Sequence, residues 1–334
     1  MSALRALTSR REAALLVLLL AAAIAASIAN PRFASVDNLL EIFRLVAETG
    51  LIAVGMTAVI VTSGIDLSVG SALALCAVIL GKLWQDCGVP LGEAAALAIL
   101  AGGLLGAFNG LLITRLGLPP LIVTLATMAL FRGLALGLSH AEPVHGYPQS
   151  FLDLGQGYFN LGPLAVPVQL PIFVVVVLVG GIYVSRSVWG RWLYAIGRNE
   201  VAAGLAGVPV RALKLAAYTA TGLLTGLAAV IYVARVSTAK ADAGTGLELD
   251  VITACVLGGV SIFGGEGSVW GATIGLFLVA VTRRGMDLAR VPTAHQSIIL
   301  GLLLIAAVAA HSLWSRHMAA RLLRRAGQDA PAVE

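Results

Sequence analysis

Charge is scarce in this sequence. Asp, Glu, Lys and Arg make up 12% of its 334 residues, about half the roughly 25% of a soluble domain. A soluble chain of this length would cover one or two compact cores with charged side chains. The scarcity therefore excludes an ordinary cytoplasmic enzyme, a nucleic-acid binder and a disordered protein. Cysteine is also rare: Cys76, Cys87 and Cys255 are too few and too scattered for a disulfide framework or a zinc site. The histidines at 140, 145, 295, 311 and 317 have no metal-ligand spacing. The glycine-rich stretch near residue 260 is not followed by Lys-Ser or Lys-Thr, so it is not a phosphate-binding loop of the Walker A kind.

What is present is apolar. Hydrophobic residues make up 59% of the chain, and the mean hydropathy is +0.94. A membrane-crossing helix needs about 20 mostly apolar residues. The first such stretch is the 19 uncharged residues between Glu12 and Arg32. It is longer than the apolar part of a signal peptide and is followed by more spans, which favours an uncleaved first helix. Further uncharged windows run 49–65, 67–81, 94–114, 116–131, 154–185, 215–234, 251–265, 267–282 and 291–315, ten with the first. Windows 67–81, 251–265 and 267–282 are short for a crossing, as expected of discontinuous helices near the centre of a bundle. The 154–185 window has room for one helix, starting near Val168. The fold class expected is an all-α polytopic membrane protein of about ten transmembrane helices, some short or discontinuous. Residues 1–11 and 316–334 would be cytoplasmic tails flanking a 12–315 membrane domain.

Orientation follows Lys and Arg. With the N-terminus inside, 13 basic residues fall inside and eight outside, and Arg132 lies within a span. That places both termini in the cytoplasm. The excess of 22 basic over 17 acidic residues then reports cytoplasmic loops and leaves nucleic acid out as a partner.

Four motifs carry information. In Thr62-Ser63-Gly64-Ile65-Asp66-Leu67-Ser68-Val69-Gly70, a carboxylate sits between two short apolar windows. Asp66 could cap a helix that starts after a break at Gly64, or it could face a solute path; the two roles are compatible. In Gly106-Ala107-Phe108-Asn109-Gly110, small residues at four-residue spacing allow close helix approach. Asn109 there could bond across helices or touch a polar solute. Thr124 and Thr127 follow Pro119-Pro120 on the next span, although membrane threonines commonly bond their own backbone. The third motif, residues 190–209, reads as a short amphipathic helix between two spans. Asn199 would cap it, Glu200 would occupy its first turn, and Gly207 and Pro209 would end it. Such a helix could lie in the lipid interface or dock on a soluble partner. The fourth motif, from Gly244 to Gly271, joins two short helices through Gly264, Gly265 and Gly267.

At these residues the chain resembles the membrane permeases of ATP-binding-cassette importers for ribose, xylose, arabinose and galactosides. The family's Ser-Gly-Gly-Ile-Asp-Leu-Ser-Val-Gly signature is similar to residues 62–70. Its cytoplasmic pattern matches Gly190-Arg191, Ala195-Ile196-Gly197-Arg198-Asn199-Glu200 and Ala202-Ala203, and a third pattern matches Glu248 to Ser268. The stretches at 240–244 and 283–288 look most like the rhamnose and autoinducer 2 branch. The resemblance implies a transport subunit of the bacterial inner membrane, not an enzyme, with no cofactor of its own because ATP would be bound by a partner ATPase. It also implies a second permease copy or paralogue and a periplasmic or extracellular sugar-binding protein, with membrane lipid around the bundle. Segment 190–209 would be the coupling helix, with Arg191, Gly197, Arg198, Asn199, Glu200, Ala203 and Gly207 at the ATPase. Asp66, Ser68, Asn109, Thr124 and Thr127 would line the path, and Gly64, Gly70, Gly264, Gly265 and Gly267 would break the helices. The rival reading is an ion- or proton-coupled secondary transporter, which would need buried acids near the midplane. Asp66 is the clear candidate for that role.

Overall fold

A computed structural model describes residues 2–162 and 164–292, and residues 295, 296, 298, 299, 301, 302 and 305. For residues 2–11, 161 and 164 it describes the backbone alone. The chain divides into two units, Met1–Arg290 and Val291–Glu334. In the second unit, His295 and Gln296 donate their backbone N–H groups to Pro292 O at 2.9 and 3.2 Å, opening a helical turn. Most of the 291–315 window and all of the 316–334 tail lie outside the described residues.

The first unit is built of helices α1 (Ser2–Ala29), α2 (Val36–Val61), α3 (Val69–Gln85), α4 (Leu91–Arg115), α5 (Pro120–Ser139), α6 (Gln149–Gln156) and α7 (Gln169–Arg186). These are followed by α8 (Val188–Arg198), α9 (Glu200–Leu205), α10 (Val210–Val236), α11 (Leu247–Leu257) and α12 (Val269–Leu288). Between α6 and α7 an antiparallel hairpin of β1 (Tyr158–Leu161) and β2 (Leu164–Pro167) departs from the all-α expectation. It forms where Gly, Pro and Asn interrupt the apolar window. Among the described residues, six helices are long and apolar enough to cross a membrane: α1 from Glu12, α2, α4, α5, α7 and α10. The expected count of about ten is not confirmed by the described residues. Helix α3 has 17 residues and α11 only 11, while α12 carries Arg283, Arg284 and Asp287 in its last turns.

Burial sorts the layers. The apolar window of α2 is 78% buried and that of α10 is 61%, whereas that of α1 is 0%. Helices α2, α3, α10 and α11 therefore form the core, as expected for the short windows 67–81 and 251–265. Close packing comes from small residues. Helix α10 lies along α4, where Gly102, Gly106 and Gly110 meet Tyr218, Gly222 and Gly226. A Cβ at Gly106 would collide with the Tyr218 carbonyl, and one at Gly222 with the Gly102 carbonyl. Membrane helices gain little from hydrophobicity against lipid, so this backbone-to-backbone approach is what holds the pair.

Helices α1 and α12 run side by side in the same direction. The Ser268 hydroxyl donates to Glu12 Oε1 at 2.7 Å at one end, and Asn30 Nδ2 donates to Leu288 O at 3.2 Å at the other. The first of these ends also gathers the α2–α3 connection, α8, α9 and the α11–α12 loop. The opposite end carries α6, the hairpin and the Val144–Ala239 bridge.

Candidate translocation and coupling site

The α2–α3 break is a tight turn followed by a buried polar knot. After Val61 the chain reverses, with Ser63 N donating to Ile60 O at 2.9 Å and Gly64 N to Val59 O at 3.1 Å. The break falls at the expected place, and its left-handed residue is Ser63, at φ 61°. Gly64 is needed for space: a Cβ there would sit 2.6 Å from the Tyr218 hydroxyl.

Asp66 Oδ1 accepts from the Ser68 backbone N–H at 2.9 Å and from the Ser68 hydroxyl at 2.6 Å. The N-cap of α3 is Ser68, which makes no side-chain capping bond of its own. Asp66 thus closes the turn before the helix instead of capping it. Asn109 Nδ2 donates to Ser68 Oγ at 2.8 Å, tying α4 to the break. Thr124 donates to Ile65 O at 3.2 Å and to its own helix at Pro120 O, tying α5 to the same turn. Thr127 bonds only its own helix, at Val123 O and Thr124 O. Asp66, Ser68, Asn109, Thr124 and Thr127 are exposed by 3, 1, 1, 0 and 3%. The structure brings four of the five together, and in this conformation they face one another. Two polar atoms of the neighbourhood, Asn109 Oδ1 and the Tyr218 hydroxyl, are buried without a hydrogen-bond partner.

Both helix breaks meet the 190–209 segment. The Ser63 hydroxyl donates to Phe263 O at 2.9 Å and to Gly197 O at 3.2 Å. Gly265 N donates to Val61 O at 2.9 Å. Gly197 is wedged so tightly that a Cβ would overlap Val61 O and Gly265 N. Gly264, Gly265 and Gly267 all have positive φ, at 82, 73 and 131°, which a glycine loop accommodates without strain. Tyr194 donates its hydroxyl to Gly267 O at 2.8 Å. Burial, with the Glu12 carboxylate adding to it, pushes the Tyr194 phenol up to about 12, so it remains a donor at neutral pH. Gly64, Gly264 and Gly265 therefore sit at one junction. Gly70 does not: it packs against Gly244 and the Glu248 carboxylate.

The 190–209 segment is two helices where one was expected. Asn199 ends α8 and caps α9, its Oδ1 accepting from Ala202 N at 2.9 Å. Glu200 pairs with Lys214 at 2.5 Å. Gly207, at φ 84°, turns the chain into α10. Arg191 and Arg198 are exposed, and the Arg198 stem lies over Gly265. Ala203 is 6% exposed, so its side chain is not on the open face of α9. The outward apolar residues of α9 are Val201 and Leu205, at 73 and 86%.

The sequence reading missed a charge pair at the core. Glu48 of α2 accepts from Arg235 Nε at 2.7 Å and from Arg235 Nη2 at 3.0 Å on α10. Both residues bounded apolar windows and were read as span edges. Two opposite charges at the edges of two long spans were the available signal.

A bundle with interrupted central helices and an amphipathic helix pair against both interruptions defines a membrane transport permease. The comparisons agree: residues 38–308 match the family described as branched-chain amino acid transport system / permease component, and the chain belongs to it. It is similar to the autoinducer 2 import system permease protein LsrD of Photorhabdus temperata, 36% identical over 90% of this chain and 91% of the relative. It is likewise similar to the protein of that name from Escherichia coli K12, 37% identical over 96% of this chain and 98% of the relative. No solved structure matches it.

Proposed function

We propose that this chain is the membrane subunit of an ATP-driven importer for autoinducer 2 or a related monosaccharide-like solute. On this reading it pairs with a second permease copy or paralogue, a separate ATPase and an external binding protein. The observation that carries the proposal is the contact of Gly197 with both helix breaks through Ser63 and Gly265. A push on α8–α9 would reach the α2–α3 and α11–α12 turns with no flexible linker between them. Helix α9 would dock on the ATPase through Val201 and Leu205. Helix α8 would lie at the cytoplasmic interface, where Trp189, 47% exposed, suits the headgroup level. The coupling end is then cytoplasmic and the end with α6 and the hairpin is external. Asp66, Ser68 and Asn109 would hold the broken helix beside the path, and the path would open when the junction moves.

The test is reconstitution in proteoliposomes with a partner ATPase and an external binding protein. Uptake of autoinducer 2 or of the sugars ribose, xylose, arabinose, galactose and rhamnose should require ATP. Leu205→Arg should abolish co-purification of the ATPase while the permease stays monodisperse in detergent. Uptake driven by a proton or sodium gradient without the ATPase would support the secondary-transporter reading instead.

A further inference from the structure

This inference rests on the permease reading and concerns where the solute touches the chain. Arg132 lies twelve residues after the start of α5 at Pro120 and seven before its end at Ser139. At 1.5 Å per residue it sits about 18 Å from one end and about 10 Å from the other, inside the hydrocarbon depth of a span. Its Nη1 donates to Ala241 O at 2.5 Å and to Ala243 O at 2.8 Å, drawing the 240–246 segment down to that depth. The same segment presents Lys240 and Asp242, both exposed, and leads into the half-exposed Glu248 in the first turn of α11. Glu248 reaches the first turn of α3, because a Cβ at Gly70 would collide with its carboxylate.

Towards the external end, Leu136, one turn beyond Arg132, and Pro143, past the end of α5, close a cleft of about 340 Å³ with Lys240 and Asp242. That is within the range of small-molecule sites, roughly 300–1,000 Å³. Asp242 and Glu248 lie close enough to act electrostatically on Arg132, yet none of the four charged residues joins any of the ion pairs among the described residues. Charges at this depth without full partners do not face lipid; they face water or a polar ligand. The Asp66 knot, by contrast, is closed on itself.

We propose that Arg132, Lys240, Asp242 and Glu248 form the solute-contacting stretch of the path on the external side, selective for small hydroxyl-rich solutes. The two cations donate to hydroxyl oxygens, and the two carboxylates accept from hydroxyl protons. Paired signs leave little net field, which disfavours ions and keeps binding weak enough for release.

Thiol labelling tests this in intact cells and needs no ATP-driven uptake, so its failure is distinct from failure of the importer reading. In a Cys87→Ser background, Asp242→Cys and Glu248→Cys are treated with membrane-impermeant anionic and cationic methanethiosulfonates. Both positions should react, and the anionic reagent should win by about fivefold, since each substitution removes one negative charge and leaves the cations in excess. Adding Arg132→Gln should collapse that preference, and Arg132→Lys should retain it. The proposal is overturned if position 248 reacts no faster than Val175→Cys on the exposed face of α7, or if the preference survives Arg132→Gln. The 242 and 248 measurements stand alone should the Arg132 variants fail to fold.

Discussion

Ser63 and Gly197, 134 residues apart, are joined by a 3.2 Å hydrogen bond from the Ser63 hydroxyl to the Gly197 carbonyl. The same hydroxyl also reaches Phe263 O at 2.9 Å. One left-handed serine therefore links the α2–α3 break, the α8–α9 pair and the α11–α12 loop.

Ser63→Ala removes both bonds while keeping the turn's volume. The single hydroxyl proton is shared between the two carbonyls, so at about 1 kcal/mol for a hydrogen bond the junction loosens by about 1 kcal/mol. The expected result is a permease that still assembles with its ATPase but transports several times fewer solutes per ATP hydrolysed. An unchanged ratio of uptake to hydrolysis in proteoliposomes would count against the linkage.

Gly64→Ala places a methyl group against the Tyr218 hydroxyl. Overpacking of this kind costs about 1–3 kcal/mol, so the variant should melt lower in detergent. The Tyr218 hydroxyl has no partner to lose. Tyr218→Phe should therefore be near neutral alone and should restore much of the stability of Gly64→Ala. Strictly additive melting shifts in the double variant would show that the two sites are not in contact.

Glu48→Gln leaves Arg235 without its bidentate carboxylate between α2 and α10. The Glu48 side chain is 5% exposed and that of Arg235 is 21%, and breaking such a pair costs roughly 3 kcal/mol or more. Folded yield should fall sharply for either single substitution. A double-mutant cycle on thermal unfolding should give a coupling well above the 0–1 kcal/mol of surface pairs.

Asp66→Asn keeps an acceptor oxygen for the two Ser68 donors but removes the charge. Folded yield and most of the uptake should survive if the turn alone is required. Asp66→Ala removes the acceptor and should cost about 1–2 kcal/mol. Abolished uptake in well-folded Asp66→Asn would assign the charge itself to transport.

Ala203→Arg is expected to lower folded yield, since Ala203 packs inward. Val201→Arg and Leu205→Arg should leave the fold intact and act on partner binding, measured by size-exclusion chromatography of the complex. Poor folding of the Leu205 variant would mean that this face is not free.

The class of protein was determined by composition and local pattern. A chain with so few charges and so many long apolar windows has to bury its backbone in helices within lipid, whatever its contacts. The glycine spacing in α4, the cap at Asn199 and the breaks near Gly64 and Gly264 are local signals, legible because caps and turns depend on a few neighbouring residues. Only the tertiary structure decided what those elements meet. Asp66 could as well have faced a path, and it is the packing of α4 and α5 that closes Asn109 and Thr124 over it. Ala203 could have faced outward, since helix phase in a six-residue helix is too weakly marked to choose a side. Glu48 and Arg235 lie 187 residues apart. Pairing at that separation depends on how α2 and α10 cross, which no stretch of sequence encodes by itself.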